Sequence, residues 1–441
     1  MSSDIINLTG GIDVGNGYVK GMILNTDNGV RDRIDLPSAI VATPRQSPKV
    51  PLEDAEAAQT MNDADEDFYN RLDASFSSPL VSDSDRRIFG RSALSVRGSV
   101  FSEFEVHDGH ASKADQQLSK ILVLGVYAAK ALRDYVREHD ALPDHELRVK
   151  VRTGLALPIS EFVARRYGYA GEFIGSKGSA VHLVTIKNFN TPVSIRLEFV
   201  DVQVVAEGAS AQYAISDKGE PLADALLTDL RSREADVLPG VTGADLVAAQ
   251  NTIGIDVGEG TVNFPVFTNG RFNAEAASTL DMGYGTILEN ALDRQDEAEL
   301  RFTSRKQLAD FLQSTPSVLQ RNRHQRAVVL VEPDVKHLVE QIRRSFSETL
   351  SQSGESTEVV YVYGGGSGPI KDELYPELIR AAGDVPVLYL DARYSRHLNR
   401  EGLFLAARAA EEAAEAAAAA VEQVAAENSR RAARKSEKAS A

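Results

Sequence analysis

The chain has 441 residues, of which 43% are hydrophobic and 7% aromatic, and its 64 acidic and 48 basic residues give a formal net charge of −16. The lack of cysteine excludes disulfides, thiolate metal sites and a cysteine nucleophile. The acidic balance argues against direct binding of nucleic acid, because sequence-independent affinity comes mainly from Lys and Arg side chains that neutralise phosphates.

The length exceeds what one hydrophobic core normally supports, so we expect two domains. The N-terminus carries no basic segment followed by an apolar run, and no uncharged apolar run of about 18 residues occurs anywhere. These patterns predict a cytoplasmic protein that does not enter a membrane.

Residues 5 to 40 are predicted to form a strand, a turn and a strand, and the motif inside them is repeated later in the chain. The first copy is GIDVGNGYVK, residues 11 to 20, and the second is GIDVGEGTVN, residues 254 to 263; seven of ten positions are identical. Each copy has an Asp followed by glycines, which allow a tight turn whose N–H groups face an anion. One copy alone is equally compatible with an ordinary hairpin turn, whereas the pair favours two phosphate-facing hairpins.

Between the two hairpins the composition changes. Residues 51 to 70 contain seven acidic residues and no Lys or Arg, which is typical of a solvated or partner-facing insertion. Apolar residues at helical spacing predict a helix over 116–138. Strands are predicted over 147–157 and, as a pair, over 181–205.

The second half of the chain begins after a block over 216–250 that is rich in Asp, Gly and Pro, which we predict to be irregular. The pattern then predicts a hairpin over 253–268, a helix over 280–292, a polar helical segment over 301–320, a helix over 335–350 and a short strand over 358–363. That strand ends in Gly364-Gly365-Gly366, a pattern found at ligand sites of α/β sheets.

The C-terminal segment has a composition of its own. Eleven of the eighteen residues 409–426 are Ala, the residue with the highest helix propensity, and a basic cluster follows at Arg430, Arg431, Arg434, Lys435 and Lys438. We predict a helical extension with a basic, disordered tip. A docking tail and a solubilising tail are both compatible with it.

The candidate chemistry lies in the two hairpins and the glycine turn. The chain has no Gly-Lys dipeptide, which excludes the usual P-loop, and no G-x-G-x-x-G fingerprint follows either strand. A nucleoside triphosphate needs backbone N–H groups around its phosphates and carboxylates for Mg²⁺. Asp13 and Asp256 supply carboxylates that can hold Mg²⁺, mostly through its water molecules. The hairpin glycines supply the backbone N–H groups. Lys20, seven residues after Asp13, can reach back to a phosphate as a point charge.

In this order the motifs resemble the superfamily of actin, the heat-shock chaperones and the sugar kinases, and within it the bacterial actin-like plasmid segregation proteins of the ParM/StbA type. GIDVGNGYVK resembles the first phosphate motif, IGIDVGEGTVNFPVF the second and VVYVYGGGSGPI the adenosine motif. RTGLALPISEF, residues 152 to 162, resembles the strand and Leu-Pro turn of the first domain. Residues 398–403 resemble the returning C-terminal helix.

The resemblance implies an α/β protein of the actin-like ATPase fold, with two duplicated domains around a nucleotide cleft. The implied division is a first domain over 1–215 with an acidic insertion at about 43–87, the irregular block over 216–250, a second domain over 251–394, a returning helix over 395–411 and a tail over 412–441. The implied cofactors are ATP, with GTP not excluded, and Mg²⁺.

Site residues also follow from the resemblance. Glu207, in VVAEGASAQY, takes the place of the residue that orients the attacking water, although a surface or helix-capping glutamate is an open alternative. With Asp13 and Asp256 it forms the expected catalytic set. The expected nucleotide contacts are Gly15, Asn16, Gly17, Tyr18, Lys20, Gly258, Glu259, Gly260, Thr261, Gly364, Gly365, Gly366 and Ser367. Asn263 departs from the family, where this position is often acidic.

The function implied is a filament-forming ATPase that partners with itself and acts on DNA through a DNA-binding adaptor, as in plasmid segregation. A small-molecule kinase of the same fold is the main alternative, but no motif marks the catalytic base that its sugar pocket would need. A chaperone-like ATPase is a third alternative, but it would need a client-binding domain, and only the Ala-rich tail follows Gly402. A scaffold without hydrolysis is disfavoured by the three acidic residues Asp13, Glu207 and Asp256.

Overall fold

The computed structural model describes residues 5–43, 50–63, 67–82, 86–96, 101–102, 112–178, 180–233 and 238–439. Parts of the predicted acidic insertion lie outside these ranges. In its described part the prediction of a solvated or partner-facing segment is wrong, because Met61, Phe68 and Tyr69 are at most 1% exposed and belong to a hydrophobic core. Among the described helices, none combines the length and the apolar character needed to cross a bilayer.

The first half of the chain builds one large mixed sheet. Its strands are β1 Ile5–Val14, β2 Tyr18–Asn25, β3 Arg31–Pro37, β4 Ile40–Thr43, β5 Asp73–Ser77, β6 Arg86–Phe89, β7 Phe101–Ser102, β8 Leu147–Leu157, β9 His182–Ile186 and β10 Val193–Ala206. They are ordered β3-β2-β1-β8-β10-β9-β5-β6-β4-β7. Because β1, β8 and β10 run parallel, their carboxyl ends meet at one edge of the sheet.

The helices of this half are α1 Ala57–Asn62, α2 Gly90–Leu94, α3 Gln117–His139, α4 Ile159–Ile174 and α5 Ala209–Arg233. Helix α3 is apolar on nearly all sides over residues 121–132, as expected for a helix inside the core. It packs against the strands in the main hydrophobic cluster of this half. The predicted strand over 147–157 and the helix predicted over 116–138 are confirmed.

The second half begins with α6 Gly243–Ala248 and forms a second sheet from β11 Thr252–Val257, β12 Val262–Phe264, β13 Val266–Thr268, β14 Arg271–Phe272, β15 Ser278–Leu280, β16 Val359–Tyr363 and β17 Val387–Tyr389. Its further helices are α7 Tyr284–Asp293, α8 Arg305–Gln313, α9 Arg321–Ser353, α10 Lys371–Ala382 and α11 Ala392–Ser395. Strands β11, β16 and β17 are parallel neighbours. This half therefore repeats the parallel arrangement of the first.

The last helix, α12 Leu398–Ala439, returns to the first half. A Cβ on Gly154 of β8 would lie 2.1 Å from the Leu403 carbonyl oxygen, and one on Gly402 would lie 1.7 Å from that of Ser210. Glycine at both positions therefore lets the helix approach strand and helix backbone closely. Beyond this contact the backbone stays helical to Ala439, so the helix includes the segment for which the composition predicts a disordered tip.

The prediction of an irregular block over 216–250 is wrong, because most of its described part is helical. Helix α5 runs through it with a kink at Gly219, whose φ is +60°, and Pro221 follows at the start of the next helical turn, where proline is tolerated. Leu222, Leu226 and Leu230 recur every four residues and are buried. The Gly and Pro residues therefore mark a kink within the helix.

Element boundaries also differ from prediction in the second half. The segment predicted as a polar helix over 301–320 is helical only in α8, whereas the helix predicted over 335–350 begins earlier, at Arg321. The first turns of α9 carry exposed polar residues, so the apolar periodicity that marks its core-facing part is absent there. The predicted hairpin over 253–268 contains a third strand, because Pro265 interrupts its return strand.

Candidate functional site

Four parallel strands end at one cavity of about 560 Å³. Asp13 lies near the end of β1, Glu207 directly follows β10, Asp256 lies near the end of β11 and Gly364 directly follows β16. Ligands of α/β proteins commonly bind beyond the carboxyl ends of parallel strands. The topology thus brings together carboxylates that are far apart in the sequence.

Nearly all of the predicted site residues line this cavity. They are Asp13, Gly15, Asn16, Gly17, Tyr18, Lys20, Glu207, Asp256, Gly258, Glu259, Gly260, Thr261, Gly364, Gly365 and Gly366. Ser367 is the exception: it is buried in the glycine turn, where its hydroxyl donates to the Gly364 carbonyl at 2.8 Å.

The two hairpins have the same backbone register. Asp13 of β1 stands opposite Lys20 of β2, and Asp256 of β11 stands opposite Asn263 of β12. The sequence repeat is therefore a structural repeat. It also shows that Asn263 occupies in the second hairpin the position that Lys20 holds in the first.

The turns of the hairpins are closed by equivalent hydrogen bonds. The Gly15 N–H donates to the Tyr18 carbonyl at 3.0 Å, and the Gly258 N–H donates to the Thr261 carbonyl at 2.9 Å. Turns of this kind present the remaining backbone N–H groups of the loop to an anion.

The tips of the two hairpins contact each other at the cavity. A Cβ on Gly17 would lie 1.3 Å from Glu259 Oε2, and a Cβ on Gly260 would lie 1.7 Å from Asn16 Nδ2 and 3.5 Å from the Asn16 Cβ. Each tip therefore places a polar side chain against a glycine of the other.

The third turn closes the site from the second sheet. Gly364 has a φ of +97°, and a Cβ there would lie 2.4 Å from both Asp256 Oδ1 and the Val257 carbonyl oxygen. The Gly366 N–H donates to the same carbonyl at 2.8 Å. Glycine is required at 364 both by conformation and by space.

Burial dominates the electrostatics of the two aspartates. Burial, together with the nearby charge of Asp13, raises the pKa of Asp256 to about 7 against the hydrogen bond from Asn399 Nδ2 at 2.8 Å. Burial likewise raises the pKa of Asp13, although Lys20 and Lys113 oppose the shift. Both carboxylates would be stabilised in their charged form by a cation.

A magnesium ion fits this chemistry as a hard cation with oxygen ligands. The described residues contain no group of three or more side chains placed to hold a metal by themselves. An ion at Asp13 and Asp256 would therefore need further oxygen ligands, which water and phosphate supply.

Glu207 is held on three sides. Its N–H donates to the Leu157 carbonyl at 2.8 Å, its Oε1 is paired with the ammonium of Lys113, and its Oε2 accepts a hydrogen bond from Asn263 Nδ2 at 3.1 Å. The alternative of a surface glutamate does not match this environment, because the side chain is only 13% exposed.

Several residues at the site were missed by sequence reasoning. Helix α8 contributes Arg305, whose Nε lies 3.7 Å from Glu259 Oε1, and Lys306, whose ammonium donates to the Tyr18 hydroxyl. Lys113 and Asn399 were missed as well. They belong to segments that carry no glycine pattern, so only the fold reveals that they meet the hairpins.

Comparison with known proteins supports the architecture. Residues 254–375 match the family model described as the C-terminal part of the archaeal actin homologue MreB-like. No curated protein matches the sequence of the chain. The segment matched by the family model contains the second hairpin motif, the glycine turn and helix α9 of this chain.

Solved structures match more than nine-tenths of the chain in fold. The actin-like protein Alp7A is 14% identical with a TM-score of 0.62, and the match covers 95% of this chain and 100% of that one. A 15-stranded ParM filament from Clostridium botulinum is 16% identical with a TM-score of 0.55, covering 92% and 99%. ParM from Bacillus thuringiensis with ADP is 17% identical with a TM-score of 0.52, also covering 92% and 99%. The chain therefore has the fold of these actin-like and ParM structures, and its residues 254–375 are similar in sequence to the C-terminal part of the MreB-like archaeal actin homologue.

Proposed function

We propose that the protein is an actin-like ATPase that polymerises with bound Mg-ATP and whose filaments weaken when the nucleotide is hydrolysed. The observation that carries the proposal is the convergence of Asp13, Glu207 and Asp256 on one cavity between two matched hairpins. GTP in place of ATP is compatible with the same geometry.

We assign the binding of the phosphates to the two hairpins and the glycine turn. The N–H groups of Gly15, Gly258 and Gly366 close the three turns, so the phosphates are assigned to the backbone N–H groups of residues 16–17, 259–260 and 364–365, which line the cavity. Lys20 adds a positive charge from β2. Asp13 and Asp256 would hold the metal, mostly through its water molecules. When bound, Mg²⁺ neutralises negative charge on the phosphates.

We assign to Glu207 the orientation of the attacking water. Phosphoryl transfer asks the protein mainly for positioning and charge stabilisation, and a carboxylate with both oxygens fixed suits that task. Asn263 supports the assignment, because its amide donates to Glu207 where an acidic residue would repel it.

Self-assembly and DNA segregation through an adaptor are proposed from the fold. A structural neighbour is itself a filament, and the net charge of −16 favours an indirect route to DNA. We place the protein in the cytoplasm. The boundary between two domains is proposed within residues 216–250, since the helical part of this segment packs against strands of the second sheet.

The proposal is tested by 90° light scattering of the purified protein after Mg-ATP is added, with phosphate release followed in the same sample. We expect scattering to rise and then decay as phosphate appears. Parallel runs with Mg-GTP, Mg-ADP and ATP with EDTA separate base preference, product binding and metal dependence.

Two results would overturn parts of the proposal. Flat scattering at high protein concentration, even with a crowding agent, together with phosphate release would remove the filament and favour a soluble kinase of the same fold. Absence of both signals with every nucleotide would remove the ATPase.

A further inference from the structure

A buried lysine contacts Glu207 from behind the cavity. Lys113 pairs with Glu207 Oε1, and the two side chains are 7% and 13% exposed. Glu207 lines the cavity, whereas Lys113 belongs to the loop that precedes α3. A charged group at this depth requires a partner, and here the partner is the proposed water-orienting residue.

The loop that carries Lys113 is fixed to the framework of the site. Glu161, in the first turn of α4, accepts a hydrogen bond from the Ser112 hydroxyl at 2.6 Å and one from the Lys113 N–H at 2.8 Å. Glu207 is held to the same junction of β8 and α4 through its bond to the Leu157 carbonyl. Lys113 and Glu207 are thus both positioned by hydrogen bonds to the junction between β8 and α4.

Lys113 keeps its charge in this environment. Burial by itself would lower the pKa of the ammonium, but the carboxylates of Glu207 and Asp13 outweigh it and raise the pKa. Lys113 is therefore a fixed positive charge that pairs with Glu207 and interacts through its charge with Asp13.

The two oxygens of Glu207 are held from different halves of the molecule. Oε1 meets Lys113 of the first half, and Oε2 meets Asn263, which lies on β12 of the second half. Asn263 is itself oriented by Thr279, whose hydroxyl donates to Asn263 Oδ1 at 2.9 Å. With both oxygens constrained, the carboxylate has one orientation toward the cavity.

On the basis of the proposed function, we propose that Lys113 is a positioning residue for nucleotide hydrolysis, which acts by clamping Glu207 in the orientation that its role requires. Among the described residues, the side-chain bond of Lys113 to the lining of the cavity is with Glu207, whereas Asp13 interacts with it through charge alone. Loss of Lys113 should therefore reduce kcat while leaving the affinity for nucleotide nearly unchanged.

The test compares the parent protein with Lys113→Met, Lys113→Arg and Lys120→Met. Lys120 is a matched control, because it is also a buried lysine paired with a glutamate, Glu172, in the same half but outside the cavity lining. Steady-state phosphate release gives kcat and KM for Mg-ATP. Calorimetric titration with Mg-ADP gives the affinity, and thermal unfolding reports folding.

We expect Lys113→Met to lower kcat on the order of 10- to 100-fold, the range for a misplaced reacting group. Its affinity for Mg-ADP should change less than about threefold, and Lys113→Arg should recover part of kcat because it keeps the charge. In a Glu207→Gln background, Lys113→Met should add almost nothing, since residues acting as a unit are non-additive. Lys120→Met should keep the parent kcat.

Failure of the inference is distinguishable from failure of the proposed function. If the parent hydrolyses ATP and Lys113→Met does so at the parent rate, Lys113 is a structural residue and the inference is wrong. Equal losses of kcat in the Lys113→Met and Lys120→Met variants would also overturn it.

If Lys113→Met does not fold, the Lys113→Arg variant provides the test. Parent affinity for Mg-ADP with a reduced kcat supports the positioning role of Lys113, whereas an unchanged kcat contradicts it. No hydrolysis by the parent overturns the proposed function and the inference together.

Discussion

At the scale of single residues, the roles proposed for binding and for hydrolysis fall at different places in the site. Asp13 is buried beside Lys20 and Asp256 at the hairpins, whereas Glu207 is fixed by Lys113 and Asn263 beyond them. The first position suits a metal and the second suits a water molecule. Substitution of Asp13 should therefore impair nucleotide binding, whereas substitution of Glu207 should impair hydrolysis.

We predict that Asp13→Ala abolishes metal-dependent nucleotide binding and with it the scattering signal. Glu207→Ala should slow phosphate release on the order of 10²- to 10⁴-fold, the usual range for a proton-transfer or water-orienting group, while nucleotide still binds. Calorimetry and phosphate release separate the two effects. Glu146→Ala, which removes a surface pair with Arg196, is the control. Turnover by Glu207→Ala at the parent rate would show that the role assigned to Glu207 is wrong.

His397 provides a pH-dependent probe of the same region. Burial and the charges of Arg400 and Arg396 lower the pKa of His397 to about 4, and its Nδ1 has no hydrogen-bond partner among the described residues. Lys20 and Arg33 add to the positive surroundings. The folded protein therefore holds this ring neutral at a pH where the unfolded chain already binds a proton.

The sign of the effect follows from linkage. Between about pH 6.5 and pH 4 the unfolded state binds more protons at this position, so stability contributed by neutral His397 is present above that window and is lost as the pH falls through it. We predict that His397→Gln, which does not titrate, loses less stability than the parent over the same window. Urea unfolding at a series of pH values measures the difference. Parallel curves for the two proteins would contradict the prediction.

At the scale of elements, the sequence was most informative where periodicity and glycine turns were strong. The strand over 147–157, the core helix α3 and the glycine turn after β16 were all predicted, because each has a regular pattern ended by a clear stop signal. The sequence does not predict helix α5, because Gly219 and Pro221 are typical of a loop. A kink and a break have the same local composition, and only burial of the leucines that follow distinguishes them.

The packing of α12 on β8 leads to a prediction about stability. A Cβ at Gly154 would lie 2.1 Å from the Leu403 carbonyl oxygen, and backbone cannot yield there as a flexible side chain would. We predict that Gly154→Ala destabilises the protein by about 1–3 kcal/mol, the usual cost of overpacking. Denaturant unfolding measures it.

Gly168 supplies the control for this prediction. It lies in α4 and a Cβ there would have open space, so Gly168→Ala should be neutral or stabilising by up to about 1 kcal/mol. If both alanine variants behave alike, α12 does not pack on β8 as closely as described.

At the scale of the whole molecule, polar contacts join the two halves around the cavity. Asn263 bonds to Glu207, Lys306 bonds to Tyr18, and the hairpin tips contact each other at Asn16 and Gly260. The sequence predicted both hairpins but not these pairs, because partners hundreds of residues apart leave no local pattern. The two halves are held together by side chains that also line the cavity.

Because the chain contains no cysteine, closure is testable by a single engineered disulfide. A Cβ at position 260 would lie 3.5 Å from the Asn16 Cβ, at the short end of the range that disulfides span. We predict that the double variant Asn16→Cys with Gly260→Cys forms an intrachain disulfide on mild oxidation, visible as faster migration on a non-reducing gel. Each single variant should remain monomeric and uncross-linked.

The cross-link should also report on function, since the phosphates are proposed to bind between these tips. With the halves locked, nucleotide has to enter without separation of the hairpins, so we expect association of a fluorescent ATP analogue to slow by at least about tenfold. A reductant should restore the rate seen before oxidation, which separates locking from damage caused by the substitutions. If both thiols react with a small alkylating reagent yet no disulfide forms, the tips are apart in solution and the closed arrangement of the cleft is wrong.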